Sequence, residues 1–424
     1  MFGGLFKRGE RRSSSLENPA VALSSAAALE IFGVTMSASG TVVSHHNADR
    51  VPAFWCGVNF IAASVASLPV GVFEGPREAR VPVTTDLTNT LDLVINDELM
   101  TSFSWRQIML CSALSRGRHY TFIERNRRDE VINLWPLQYN NMTVERVAGR
   151  KRYRYNDAGR TILYEPADII DVAWKLHDDG ICHVDPVAKL AETLGLALDG
   201  QSYSSRFFAS GGVPALALEG TAASPGAISR AQADVSSAIK TAHKEGRNVL
   251  YMPAGHTLKP VGIDPEKSQL LASRQYAVIE IARMLGLPPI FLMDLTNGTL
   301  ANAAQADLFV AKHCIAHWAD RIEAEISVKI GGRRPRQFVE FDLDGLQRGD
   351  LKTRMEAFAR AIQTAQLTPD EARRKENLPP GEGGDRLYIQ GATVPLTMAG
   401  QVQAQPQPSP APEPVGEPVG PAED

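Results

Sequence analysis

Apolar residues recur at three- and four-residue steps through Val51, Phe54, Trp55, Val58, Ile61, Ala62, Val65 and Leu68, which predicts a helix over 47–71 that Pro69 ends. A second, shorter helix is expected at 105–114. Between Arg118 and Ala173 the period changes to two, so short strands are expected at 119–124, 131–137, 142–147, 152–156, 162–164 and 169–172. Asp185-Pro186, Ser224-Pro225 and Asp264-Pro265 each put a capping side chain before a proline, whose missing N–H costs nothing in the first turn of a helix. The helices they open run to about Ala209, to Gly246 and to Gly286. Strands are expected at 215–219, 248–252 and 257–263. A small strand–helix–strand–strand unit therefore sits between two long helices, an order that lets it stand clear of the main body on a helical stalk.

Residues 293–302 read as a loop around the Asn297-Gly298 turn signal. A long helix follows, with Leu308, Ala311, Ile315, Trp318, Ile322 and Ile326 on one stripe, closed by Gly331-Gly332. Then come a strand at 338–343, a helix carrying Leu351, Met355, Phe358 and Ile362, and a capping box at Thr368-Pro369-Asp370-Glu371. The pattern is α+β.

At 424 residues the chain exceeds one typical domain of ~150, and its 44% hydrophobic content supplies ample core. The formal charge is −4, from 44 Lys and Arg against 48 Asp and Glu. Four of those acids, Glu413, Glu417, Glu423 and Asp424, lie in the last 30 residues with eight prolines and no base, so the remaining 394 residues balance at zero. That balance argues against a tight, non-specific DNA clamp, which needs many phosphate contacts. The basic cluster Arg146, Arg150, Lys151, Arg152, Arg154 and Arg160 reads as a solvated hairpin face. Cys56, Cys111, Cys182 and Cys314 form no CxxC pair, which suits a reducing compartment. The best apolar run, 60–73, is interrupted by Ser64, Ser67 and Pro69, and polar residues separate the N-terminal bases from the Ala-rich stretch. Neither a membrane span nor a signal peptide is expected.

Catalytic patterns are not found. GxxxxGK[ST], GxSxG and a strand-following GxGxxG are missing from the sequence. His313 and His317 have ligand spacing, but Cys314 occupies the position where HExxH needs Glu, so they read as core or interface histidines. Glu340, Asp342, Asp344 and Gly345 imitate the start of a calcium loop, but Leu351 replaces its bidentate acid and the alternation with Phe341 and Leu343 fits a strand. No cofactor and no metal is assigned.

The order of these elements resembles the portal proteins of long-tailed bacteriophages. The segment from Asn59 to Val70 is similar to that family's helix with a "SLPL"-like stop. Asp168-Ile169-Ile170, Asp179-Gly180 and Asp185-Pro186 resemble the approach to its first stem helix, and Arg206 to Pro214 its "FF-x-NG-x-x-P" exit. Glu280 to Pro289 (EIARMLGLPP) matches the end of its second stem helix. The strand at 338–342, with Asp350, Arg354 and Leu367 to Arg373, resembles its C-terminal part. His317 stands where a proline is usual, Asp370 where an asparagine is common, and Cys182-His183 interrupts a glycine-serine step.

The resemblance implies a portal fold: a flexible arm at 1–40, a sheet-rich wing at 41–184, a stem of two helices at 185–212 and 264–289, and a small α/β clip at 213–263 inserted between them. A channel loop, long helix and wing return would occupy 290–349, a helical crown 350–394 and a disordered acidic tail 395–424. The implied function is a ring, a dodecamer in this family, at the capsid vertex of the virion, assembled in the host cytoplasm. Its channel passes double-stranded DNA during packaging and ejection. Implied partners are the terminase large subunit, head–tail adaptors, major capsid and scaffold proteins. Channel candidates are Lys267, Arg274, Thr296, Asn297, Thr299 and Asn302, and docking candidates in the clip are Lys240, His243, Lys244 and Arg247. Two rival readings are an enzyme with an unrecognised site and a scaffold or adaptor without a channel.

Overall fold

The computed structural model describes residues 34–76, 80–209, 216–220, 225–244, 256–260, 270–295, 300–331, 337–343, 351–376 and 378–389. The chain divides into two units, 1–347 and 348–424.

The first unit opens with an antiparallel pair, β1 (Val34–Met36) and β2 (Val42–Ser44), then a one-turn helix α1 (His45–Ala48) and α2 (Pro52–Ala66). The expected single helix from residue 47 is thus two helices. Pro52 disfavours helical backbone at the residue before it, and Val51 is extended (φ −82°, ψ 110°). Next come β3 (Val70–Glu74), β4 (Val81–Pro82), α3 (Asp86–Asp92) and α4 (Ser102–Arg116). Phe54, Val58, Ile61 and Val65 of α2 pack into one buried cluster with Trp105, Met109, Leu110 and Ala113 of α4. The Val, Ile, Leu, Phe and Met side chains among them each contribute about 1.5–3 kcal/mol on burial.

Six strands follow as the alternation predicts: β5 (Arg118–Arg125), β6 (Val131–Leu137), β7 (Met142–Val147), β8 (Arg150–Asp157), β9 (Arg160–Tyr164) and β10 (Ile169–Ala173). They form two three-stranded antiparallel sheets, ordered β10-β5-β6 and β7-β8-β9.

The first long helix is also broken. Asp185 caps α5 (Pro186–Lys189) by accepting from the Val187 and Ala188 amides, Leu190 leaves helical geometry (φ −91°, ψ 5°), and α6 (Ala191–Ala209) continues. The inserted unit contains β11 (Leu216–Gly220), α7 (Pro225–Lys244) and β12 (His256–Pro260), with β11 and β12 antiparallel. The strand expected at 248–252 lies outside the described residues. α8 (Leu270–Leu285) returns to the core and a 3-10 turn over Pro289–Leu292 follows.

The long helix is three pieces: α9 (Leu300–Val310), a π-turn (Ala311–Ile315) and α10 (Ala316–Gly331). Helix begins at Leu300, inside the stretch read as loop, because Leu300, Ala301, Ala303 and Ala304 are strong helix formers. β13 (Gln337–Phe341) pairs with β3, Phe341 opposite Val70, and completes the sheet β13-β3-β4. Val70–Glu74 was not expected as a strand. The alternation at Glu340 is that of a strand, and the Glu340 carboxylate pairs with Arg80.

The arm read as loose to residue 40 is held from Val34 onward. The turn between β1 and β2 grips α6: the Ala38 amide donates to Glu192 at 3.0 Å, the Ser39 hydroxyl to Asp199 at 2.5 Å, and Thr41 to the same carboxylate. Gly195 allows this approach, since a Cβ there would stand 2.6 Å from both Ser37 Cβ and Oγ. We expect Gly195→Val to lift the turn at a cost of about 1–3 kcal/mol, read as roughly tenfold or faster hydrogen exchange at residues 34–44 with α2 and α4 unchanged.

The second unit contains α11 (Leu351–Gln363) and α12 (Pro369–Lys375). The Thr368 hydroxyl accepts from the Glu371 amide while the Glu371 carboxylate accepts from the Thr368 amide, completing the expected capping box. Arg354 of α11 pairs with Glu376 at 2.5 Å.

Candidate functional site

The two long helices are rooted at one end only. On α6 the buried residues Ala191, Leu194, Gly195 and Gly200 cluster in the first ten positions, while Tyr203 and Phe208 farther along are exposed. α8 is the mirror case. Its later residues Ala277, Ile281, Ala282 and Leu285 are buried, and Leu271 and Tyr276 before them are exposed, Leu271 by 72%. The exposed ends are those nearer in sequence to the inserted β11–α7–β12 unit. Leu285 fits against Gly57 of α2, and the chain leaving α8 is anchored by the Phe60–Phe291 ring pair, 4.9 Å apart.

Arg274 lies on the exposed part of α8, and no ion pair to it exists among the described residues. Lys267 lies outside the described residues, as do Thr296, Asn297 and Thr299. Asn302 belongs to the first turn of α9, not to a loop. Lys240, His243 and Lys244 fall in the last turns of α7. Arg247 lies outside the described residues. The structure therefore puts Arg274 on an exposed helix face.

His313 and His317 are not core residues. Both are exposed, with the His313 ring 4.8 Å from Phe309 on the outer side of the π-turn. Among the described residues no group of three His, Cys, Asp or Glu side chains is placed to hold a metal.

The basic sheet face is largely neutralised within the chain. Arg152 pairs with Glu165, Arg154 with Glu145 at 2.6 Å, and Arg146 donates to the Asp179 carbonyl. Lys151 reaches inward to Asp171 at 2.7 Å. Asp171 also receives two hydrogen bonds from Arg118 and one from the Tyr153 hydroxyl, with both charged side chains nearly sealed from water. Burial disfavours each charge, but the Arg118 hydrogen bonds and charge, with Lys151, outweigh it and hold the Asp171 carboxyl well below the carboxylate range. Arg118 is likewise held above its ordinary value by Asp171. His119 beside them is pushed down to about 3 by burial and stays neutral. This ionic centre ties β5, β8 and β10 together and Arg118 donates on to the Ile181 carbonyl, four residues before the Asp185 cap of α5. No sequence motif marked it, because its members lie up to 53 residues apart.

The sequence profile of the phage portal protein family matches residues 52–377, well over half of the chain, and the protein belongs to that family. It is 28% identical over 374 residues to the portal protein of Enterobacteria phage HK97, covering 83% of this chain and 84% of that one. It is also 28% identical to the probable portal protein of Streptomyces phage phiC31, over 81% and 78% of the two chains. A crystal structure of an HK97-family phage portal protein from Corynebacterium diphtheriae shares the fold with a TM-score of 0.55 at 16% identity, over 72% of this chain and 96% of that chain. A chain from the neck of a native gene transfer agent particle, computed with C12 symmetry, gives 0.51 at 20% identity, over 78% and 91%.

Proposed function

We propose that this portal-family chain is one subunit of a closed, twelvefold ring at the capsid vertex, acting as a conduit for double-stranded DNA and as a docking platform, not as an enzyme. The observation that carries the reading is the pair α6 and α8, each rooted in the core at one end and bracketing the inserted β11–α7–β12 unit. In this reading the pair is the stem and the inserted unit, residues 213–263, is the clip. Tyr203, Phe208, Leu271 and Tyr276, uncovered in the single chain, are apolar surface that a neighbouring subunit would cover. The C12 symmetry of the related neck supports the subunit number.

A conduit must release DNA at every step. Each phosphate neutralised adds about 0.9 to the salt slope of binding, so a ring with many fixed contacts would hold DNA instead of passing it. A charge-balanced body with sparse cations suits sliding. Arg274 and Lys267 are the proposed backbone contacts on the second stem helix, and Thr296, Asn297, Thr299 and Asn302 the polar lining at the channel constriction. Lys240, His243, Lys244 and Arg247 are the proposed contacts in the clip for the terminase large subunit and then head–tail adaptors. Major capsid and scaffold proteins would meet the wing during assembly in the host cytoplasm.

Two measurements test this. Native mass spectrometry with negative-stain imaging should show a closed ring with an open centre; a stable monomer at high concentration would count against it. Arg274→Glu should leave the ring intact but lower DNA per particle by roughly half or more, since it places one carboxylate per subunit against the phosphates. Normal packaging would remove Arg274 from the channel.

A further inference from the structure

Two exposed patches of mixed apolar and charged character lie at opposite edges of the sheet β10-β5-β6. The first surrounds the turn between α3 and α4, which runs beside β6, the Leu134 amide donating to the Ile95 carbonyl at 2.8 Å. Leu93, Val94, Leu99 and Phe103 are all exposed there. Leu99 has a left-handed backbone (φ +60°), a conformation that glycine or asparagine holds more easily than leucine. Its side chain is 75% exposed, so the single chain gains no packing from it. Beside it Glu98 forms no ion pair among the described residues, and Asp97 accepts from the Asn133 side-chain amide at 3.1 Å.

The second patch is on the β10 side. α10 borders that strand, Glu325 accepting from the Asp171 amide at 3.0 Å and Arg321 donating to the Ala173 and Trp174 carbonyls where β10 ends. One turn ahead of Arg321 begins the outer face of the π-turn and α9. Leu308 and Phe309 are 57% and 49% exposed on it, next to the exposed Lys312, His313 and His317. Asp307 and Asp320 belong to the same helices, but neither pairs with Lys312, which forms no ion pair among the described residues. The spacing of the two histidines fits a core or an interface, and their exposure excludes the core.

We propose that the two patches are the halves of one contact between neighbouring subunits. The turn over residues 93–103 of one chain seats on the 308–317 face of the next, Leu99 against Leu308 and Phe309, and the Glu98 carboxylate against the Lys312 ammonium. The contact rests on the ring reading given above. A cyclic ring repeats a heterologous contact, so every subunit must carry two different, complementary surfaces. These patches share apolar content, offer an unpaired acid to an unpaired base, and are held apart by the width of a sheet. Two copies of the acidic turn would repel each other, which disfavours a two-fold pairing through it. The leucine in a glycine-like conformation then has its return in the assembled ring, where its side chain is covered.

The full chain carries the test. Leu99→Cys combined with Phe309→Cys, oxidised with copper phenanthroline, should give a ladder of disulfide-linked multimers, and peptide mapping should join the two introduced thiols between chains. Either substitution alone should give no ladder beyond that of the wild type. Native mass spectrometry is then run at the concentration where half of the wild-type chains are in rings. Glu98→Lys and Lys312→Glu should each lower that fraction several-fold, since the loss recurs at every contact around the ring, and the two together should restore most of it. Intact rings whose introduced thiols stay unlinked, or link within one chain, would overturn this contact and leave the ring reading standing. Ring fractions unchanged by the charge reversals would overturn the Glu98–Lys312 pairing. A wild-type chain that forms no ring would overturn both readings.

Discussion

Asp171→Ala is expected to cost about 3–5 kcal/mol, the loss associated with leaving a buried charge without its partner. Arg118 is 1% exposed at its side chain and would keep only the Ile181 carbonyl, 2.5 Å away, as an acceptor. Tyr153 is fully buried and would lose the acceptor of its hydroxyl, and Lys151 its counter-charge. In urea the midpoint should fall with the slope unchanged, since the same surface is exposed on unfolding. Replacing the pair together, Arg118→Met with Asp171→Leu, should cost less than Asp171→Ala, because the sealed Arg118 charge goes with its partner and only the half-buried Lys151 is left to turn to water. The acid limb of the wild-type stability curve follows from the same site. Asp171 has a folded pKa below its unfolded value, so its contribution is complete above about pH 4 and is lost as pH falls through the folded pKa. Stability measured against pH should fall less steeply below pH ~4 in the Ala variant.

Gly117→Ala is the second large effect. Gly117 ends α4 with a left-handed backbone (φ +83°), a conformation costing an L-residue about 1–2 kcal/mol. A Cβ there would also meet the Val184 carbonyl oxygen at 2.3 Å and His183 Cδ2 at 2.8 Å. The first of these is backbone and cannot rotate away, adding about 1–3 kcal/mol for the forced shift. Because the Gly117 carbonyl also accepts from the Trp174 amide, the displacement falls on the segment that leads from the last strand into Asp185. Thermal unfolding should shift strongly downward and amides of 174–184 should exchange faster. Gly159→Ala is the internal control: its φ is +88° with nothing within 4 Å, so only the conformational cost should appear.

Much of this architecture was readable from short-range signals. The six strands from β5 to β10, the Asp185-capped start, the helix start at Pro225 and the Thr368 capping box depend on residues within a few positions of one another. Portal-family membership was legible for the same reason: ordered local segments such as EIARMLGLPP survive at modest identity. Where pattern and structure differ, the cause can be equally local, as with Pro52 forcing Val51 out of the helix. The candidate site was less legible. Arg274 could be assigned to an exposed helix position, whereas His313 and His317, read as core or interface histidines, are exposed in the single chain beside a π-turn that no periodicity announces.

By itself, then, the sequence determined most of the helical and stranded stretches, though not the strand at Val70–Glu74 or the helix start at Leu300, the placing of one unit between two long helices, and a body with no net charge apart from its acidic tail. Those properties are additive along the chain or reach only a few residues. The tertiary structure decided which distant groups meet. Val70 faces Phe341 across a sheet edge, Asp171 collects Arg118, Lys151 and Tyr153, and Glu192 and Asp199 of α6 hold the turn that precedes β2. Several carboxylates and several cations of the same unit were chemically equivalent candidates for those pairings. Only the packing of the sheets against α10 and α4 brought particular ones together and excluded water from them.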